Sequence, residues 1–336
     1  MRRPLSVLGS FGCLLAVPAA ALAQDAPPAP SQPPATGQPA PKPEPAPGRM
    51  SVVLEKVNGR SGAVLAGDRF RVRGRVTPYL PGQRVLVRLR REGRVVSERR
   101  VEIRRAGRGD RGGFVLGLSS GSPGRVEVSA VHEATAEQAR MTARSRTLEV
   151  LPRRIRPGAR GLGVRLVQRR MAKLGYVVGE AGVFDARTAR AVLAFRKVLR
   201  MERTTEADAE MLRRLARGEG GFRVRYPHHG KHVEADLSRQ VLALIRGSKV
   251  ERIYHTSSGA PATPTVRGSY RFYLKTPGTN AKGMVYSAYF IRGYAIHGYA
   301  SVPTHPASHG CLRVPIPDAI PIYNWLSIGD RIDVYM

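Results

Sequence analysis

The side-chain period of this sequence changes twice, and that restricts its architecture more than any other feature. Between residues 51 and 151 apolar residues alternate with arginine at every second position, most plainly in RFRVRGRV at 69–76 and RVLVRLR at 84–90. Successive side chains of a strand point to opposite faces, so the pattern predicts sheets with one dry and one wet face. SVVLEKV, RVVSERRVEI, GFVLGLS, GRVEVSAV and SRTLEVL bring the candidate strands to seven, separated by Gly and Pro. From 158 to 217 the period lengthens: Val164, Val167, Met171 and Leu174 recur at helical spacing, with Gly175 as a stop signal. Asp185 is expected to cap a second helix carrying Val192, Phe195 and Leu199. Thr205 with Asp208 reads as a capping box before Met211, Leu212 and Leu215. From 220 onward strand patterns return, with a hairpin turn near Gly247, a short helix from Pro317-Asp318 through Trp325, and a last strand in RIDVYM.

The expected organisation is therefore multidomain: an all-β sandwich at 49–151, a small three-helix domain at 158–217, and a mostly β domain at 220–336. Two segments precede them. MRRPLSVLGSFGCLLAVPAAALAQ has arginines, then an apolar run, then a small-x-small site, and reads as a signal peptide over 1–23. Residues 24–48 are a Pro/Ala-rich linker, a composition that stays extended. The protein is thus expected to be exported, to a periplasm or cell wall, with no integral membrane segment after signal cleavage. The 49–151 pattern resembles the Arg-rich immunoglobulin-like modules of exported bacterial proteins, and a spacer role is expected for it. Removing residues 51–151 is accordingly expected to leave chemistry on a small soluble substrate intact.

Charge narrows the partners. The formal charge of +31 is concentrated in 49–217, with 39 basic and 16 acidic side chains, against 14 and 7 in 218–336. Nucleic acid is not the expected partner, because neither zinc-finger spacing nor an aromatic RNP stretch accompanies the arginines. An anionic wall polymer outside the membrane suits the same charge.

Once 1–23 are removed, Cys311 is the only cysteine, in HPASHGCLRVP at 305–315. Three readings stay open on the residues alone. A thiol becomes a nucleophile when a histidine takes its proton, and His297 and His309 are the available bases. His297, His305, His309 and Cys311 also amount to four zinc ligands, although no acidic residue lies between 283 and 317 to support them. The third reading is an inert buried thiol. For a nucleophile, the loop between His297 and Cys311 must fold back, Gly298 and Gly310 permit close backbone approach, and amides around Gly310 and Cys311 supply an oxyanion hole.

Two resemblances bear on these readings. VRLVQRRMAKLGYVVGEAGVFDARTARAVLAFRKVLRM at 164–201 resembles the peptidoglycan-binding domain type 1, through Val167-Gln168, Leu174-Gly175-Tyr176, Gly182-Val183-Phe184, Val192 and Phe195. Ala181, Asp185 and Arg196 depart from that pattern, which usually has Asp, Gly and Gln there. His297-Gly298, then Ser308-His309-Gly310-Cys311-Leu312-Arg313, resembles the signature of the L,D-transpeptidase catalytic domain of the YkuD type. The similarity runs over about 220–336 and includes TSSGAPATPTVRGSYRF, where Val266-Arg267 interrupts the family spacing, and the closing IGDRIDVYM.

Carried over, the resemblance makes Cys311 the acylated nucleophile and His297 its general base. His309 and Gly310 shape the acyl pocket and oxyanion hole, Ser308 supports the loop, and Arg313 binds a peptide carboxylate or carbonyl. Tyr286 and Tyr299 are expected to serve packing. The implied reaction moves an acyl group from a peptidoglycan tetrapeptide stem to a second stem, releasing D-Ala, with neither metal nor organic cofactor. The implied partners are the stem peptides and glycan strands of peptidoglycan. Water as acceptor makes the same site an L,D-carboxypeptidase. A catalytically inactive wall-binding spacer and a zinc hydrolase of the wall are the rival readings.

Overall fold

The computed structural model describes residues 43–57 and 62–336. The expected signal peptide at 1–23 and most of the linker at 24–48 lie outside the described residues. The end of that linker is docked: Ala46 N donates to Glu137 O at 3.0 Å, and Ala46 O accepts from Ala139 N at 2.9 Å.

Nine strands follow: β1 (Arg49–Glu55), β2 (Ala63–Leu65), β3 (Phe70–Thr77), β4 (Arg84–Arg91), β5 (Arg94–Glu102), β6 (Arg104–Arg105), β7 (Gly112–Leu118), β8 (Gly124–His132) and β9 (Met141–Leu151). They form two sheets, β1-β3-β7-β6 and β2-β9-β8-β4-β5. The alternation read from the sequence is the reason they pair face to face. Phe70, Val72 and Val76 of β3 and Val85, Val87 and Leu89 of β4 enter one core with Val126, Val128 and Leu148. The arginines between them face outward. β2 and β6 add to the seven strands expected. At three and two residues, they are too short to show a period.

The helices are α1 (Leu162–Lys173), α2 (Ala186–Val198) and α3 (Ala209–Ala216). Asp185 caps α2 as expected, accepting from Thr188 N at 2.8 Å. The start of α3 differs from expectation. Asp208 is itself the cap, accepting from Met211 N at 2.8 Å, so Thr205 lies outside the helix and no capping box forms. Gln168 on α1 is buried and ties the α1–α2 turn together, donating to Glu180 O and Val183 O at 2.8 Å and accepting from Gly182 N at 2.7 Å.

The last part comprises β10 (Lys231–Asp236), β11 (Val241–Arg246), β12 (Lys249–His255), β13 (Gly268–Arg271), β14 (Leu274–Thr279), β15 (Val285–Ile291), β16 (Tyr294–Tyr299), β17 (Leu312–Pro315), α4 (Ile316–Trp325) and β18 (Arg331–Tyr335). Its sheets are β12-β11-β10-β18-β13 and β14-β15-β16-β17. Val233, Leu242, Leu244, Ile296, Leu312, Val314 and Ile332 fill the space between them. Among the described residues the architecture is mostly β, with four helices.

The three parts are not beads on a tether. One core runs from Ala63, Leu65 and Leu151 through Val167, Met171, Phe195 and Leu212 to Val241, Ala243, Ile245 and Ile253. The helices are the middle of that core. Glu149 on β9 adds ion pairs to Arg169 and Arg170 on α1, at 2.5 and 2.7 Å.

Candidate active site

Cys311 closes a tight loop and runs directly into β17. β16 and β17 pair in parallel, with Ile296 opposite Leu312 and His297 opposite Arg313. One step back along the same ladder, Cys311 falls beside Ala295. Ile296, Leu312 and Val314 turn into the core. The alternate positions His297, Cys311 and Arg313 therefore share the other face. Thiol and imidazole stand two residues along and one strand across, a diagonal of about 8 Å between Cα atoms at ordinary strand spacing. No hydrogen bond joins them among the described residues; the thiol donates to Gly293 O at 3.6 Å.

Loop, strand and helix fix this pair. Ser308 is buried, and its hydroxyl donates to Cys311 O at 2.6 Å while accepting from Gly310 N at 3.0 Å. That closes the loop on itself. Gly310 has φ +110, and a Cβ there would lie 1.8 Å from Tyr294 Cε1. Only glycine fits both the backbone and the space. The TSSG segment braces the loop from outside. Ser257 exchanges backbone bonds with Arg313 at 3.0 and 2.9 Å, and Ser308 N donates to Ser258 O at 2.9 Å. On the core side α4 lies so close to β16 that a Cβ on Gly298 would be 2.8 Å from Ala319 Cβ.

His297 is 3 % exposed, and its Nδ1 is 2.9 Å from Gly298 O. A carbonyl only accepts, so Nδ1 carries the proton and Nε2 keeps the free lone pair. Burial pushes His297 below its ordinary value, against the Gly298 bond and helped by the charge of Arg313. Burial pushes the Cys311 thiol up, more than the Ala295 amide, Arg313 and Lys282 hold it down. The resting state at neutral pH is therefore a thiol beside a neutral imidazole rather than an ion pair.

The Ser308 hydroxyl and the Gly310 amide are spent inside the loop. The Cys311 amide has no acceptor among the described residues, which leaves it open to a developing oxyanion. Arg313 lies over the Tyr299 ring at 4.2 Å, and Tyr299 meets His297 edge-on at 5.6 Å. Tyr299, expected only to pack, thus couples the imidazole to the guanidinium; its place two residues after His297 on a strand was the available signal. Tyr286 meets Tyr323 of α4 at 5.2 Å. His305 and His309 are exposed, apart from buried His297. No group of three His, Cys, Asp or Glu side chains converges as metal ligands among the described residues.

Two of the three departures from the peptidoglycan-binding pattern have structural work. Arg196 is buried, bonding Glu202 O at 2.6 Å and Asp208 Oδ2 at 2.9 Å, so it holds the cap of α3. Asp185 caps α2.

Residues 230–334 match the family model of the L,D-transpeptidase catalytic domain, YkuD, and residues 160–215 match that of a peptidoglycan binding domain. A search of curated proteins gives no match. Among solved structures, the L,D-transpeptidase from Xylanimonas cellulosilytica is 32% identical with a TM-score of 0.52, over 55% of this chain and 98% of that one. The L,D-transpeptidase from Stackebrandtia nassauensis is 21% identical with a TM-score of 0.34, over 54% of this chain and 95% of that one. The catalytic domain of the E. faecium L,D-transpeptidase is 23% identical with a TM-score of 0.28, over 32% of this chain and 98% of that one. With the cysteine loop, the catalytic-domain match and the 32% identical relative in agreement, the chain belongs to the L,D-transpeptidase family of acyl-transferring enzymes, with peptidoglycan as its partner.

Proposed function

We propose that this chain is an exported L,D-transpeptidase that joins peptidoglycan stems through a thioester on Cys311. One observation carries the mechanism: the β16–β17 ladder sets the thiol and the free Nε2 of a buried, neutral His297 on one face. Cys311 Sγ attacks the carbonyl carbon of the third stem residue as its proton passes to His297 Nε2. The oxyanion faces the Cys311 amide, with Arg313 nearby as a cation. The intermediate collapses, the C–N bond to D-Ala breaks, and the imidazolium proton leaves with the amine. The amine of a second stem then attacks the thioester, its proton passes to His297, and the C–S bond breaks to restore the thiol. Ser308 shapes the loop, and His309, exposed at its tip, borders the approach.

The modules divide the remaining work. The helices at 158–217 bind wall and the sandwich at 49–151, of immunoglobulin-like kind, spaces the enzyme. A cleft of about 650 Å³ in that sandwich, lined by Arg73, Arg75, Arg104 and Arg105 with Glu102, supports an anionic wall polymer as a further partner. Signal peptide, linker and export complete the proposal. Among the described residues no helix is long and apolar enough to cross a membrane.

Incubation with a disaccharide-tetrapeptide, followed by mass spectrometry of the products, tests the reaction. A cross-linked dimer with one D-Ala released per bond is expected. Tripeptide product alone would identify water as the acceptor, hence a carboxypeptidase. Unchanged substrate with folded protein would favour the inactive spacer.

A further inference from the structure

Lys197, near the end of α2, is 1% exposed, and it leaves its own module. Its Nζ reaches Gln240 O at 3.2 Å, Thr256 O at 3.0 Å and His255 Nδ1 at 2.7 Å, all in the cysteine-bearing part. Two of these contacts are to carbonyls, which only accept, so Lys197 Nζ donates to both. Val302 O only accepts, so the neutral His255 carries its proton on Nε2 and donates it there at 3.1 Å, which leaves Nδ1 to accept from Lys197. Burial together with Lys197 pushes His255 down to about 3, so the ring keeps that neutral tautomer at working pH.

Val302 lies in the segment that leads from His297 to Cys311. Three arginines of the helical module reach the same region, Arg203 on this segment and Arg190 and Arg187 on α4 just beyond β17. Arg203 donates to Thr304 O. Arg190 makes a two-point bond to Asp318, at 2.8 and 3.1 Å, and Arg187 donates to Pro317 O at 3.3 Å. Between Thr304 and α4, Thr256 donates its hydroxyl to Arg313 O at 2.7 Å, and Ser257 donates to His305 O at 2.7 Å. The carbonyl of Thr256 is one that Lys197 holds. A wall-binding module needing only a tether would have no use for a lysine side chain sunk into its neighbour. Desolvation makes that position costly, and burial drives Lys197 down to about 6.

We infer that the helical module is a positioning part of the acyl-transfer site, with Lys197, through His255, and Arg203 holding the 302–305 segment so that Cys311 is presented to His297. The inference rests on the reading of Cys311 as nucleophile. It assigns the module a role besides wall binding.

Carbapenem acylation of the full chain, followed by intact mass, tests it, with saturating rate and half-saturating concentration measured separately. Lys197→Met keeps the length and removes the three bonds; its saturating rate should fall about 10- to 100-fold, since a displacement near 1 Å costs up to about 100-fold. Arg203→Ala alters an exposed side chain and leaves the core intact, so it remains informative if Lys197→Met does not fold. Its saturating rate should fall at least about threefold, with unfolding and half-saturation unchanged, and Arg203→Lys should recover part of the rate. Hydrogen exchange in peptides spanning 300–312 should rise in both variants. Arg165→Ala, on an exposed site of α1, should match wild type. Wild-type saturating rates in both Lys197→Met and Arg203→Ala, while acylation still maps to Cys311, would overturn the inference alone. Wild-type protein acylated at no cysteine would overturn the underlying reading instead.

Discussion

Gly310→Ala probes the geometry of the cysteine loop through two separable effects. Gly310 has φ +110, and a new Cβ would lie 1.8 Å from Tyr294 Cε1 and 2.5 Å from Cδ1. Holding alanine in that backbone region costs about 1–3 kcal/mol. Overpacking against the ring costs about another 1–3 kcal/mol. The sum, about 2–6 kcal/mol, is a large fraction of a domain's stability. The ring is half-buried and can be removed, whereas the φ cannot be relieved. Tyr294→Ala in the same chain should therefore return the packing share and leave the backbone share. The only tryptophan, Trp325, lies in α4, so its fluorescence reports denaturant unfolding of this part. Gly310→Ala should also slow acylation about 100-fold, because the displaced ring adjoins Ala295, whose amide faces the sulfur. A variant that unfolds at the wild-type midpoint and acylates at the wild-type rate would refute this account of the loop. So would full additivity in the double-variant cycle.

Four further outcomes follow from the same structure. Acylation should rise with pH as His297 loses its proton, below its ordinary 6.5, then level through neutrality; a profile whose only rise is near 9 would give the base no part. Iodoacetamide should alkylate Cys311 slowly at neutral pH and faster above 9.0, whereas fast labelling near pH 6 would reveal a resting ion pair. Buried Glu234 accepts from Arg225 N, Tyr226 N and Tyr335 Oη, and although burial raises its pKa, bonds from His232 and these groups hold it below the ordinary 4.5. Its stabilisation is thus present above 4.5 and lost as pH falls through the folded value. Glu234→Leu should cost about 3–5 kcal/mol and flatten that acid limb in urea titrations, and an unchanged limb would count against it. Deleting residues 49–151 removes Leu65 and Leu151 from the shared core, each worth about 1.5–3 kcal/mol of burial. The truncated chain should unfold more readily and lose acylation, contrary to the expectation from sequence; a truncation as stable and as active as the full chain would show the shared core to be dispensable.

Local features were legible where a side chain's job is local. The alternating arginines marked β3 and β4, and Asp185 marked the start of α2, because period and capping act over a few residues. Cys311 and His297 were singled out by motif, and the structure places them on one face of the β16–β17 ladder. That the loop between them folds back was expected too, but not that β17 pairs in parallel with β16, since partners sixteen residues apart leave no short-range pattern. Thr205 and Asp208 misled because a capping box and a simple Asp cap share the same letters. Lys197 and Arg196 are the clearest misses. On a helix read alone a basic residue belongs to the wet face, and only the neighbouring β12 and the α3 cap make these two interior. β2 stayed hidden because three consecutive buried residues carry no alternation. The shared core was hidden for a similar reason: the apolar residues that build it look like ordinary core positions of each separate module.

Intact-mass spectrometry of the folded full chain with a carbapenem tests the central claim most directly. The account predicts a single covalent adduct that peptide mapping places on Cys311, is absent from Cys311→Ala, and forms about 100- to 10,000-fold more slowly in His297→Ala. An adduct that persists in Cys311→Ala, or a His297→Ala chain acylated at the wild-type rate at pH 7, would contradict it.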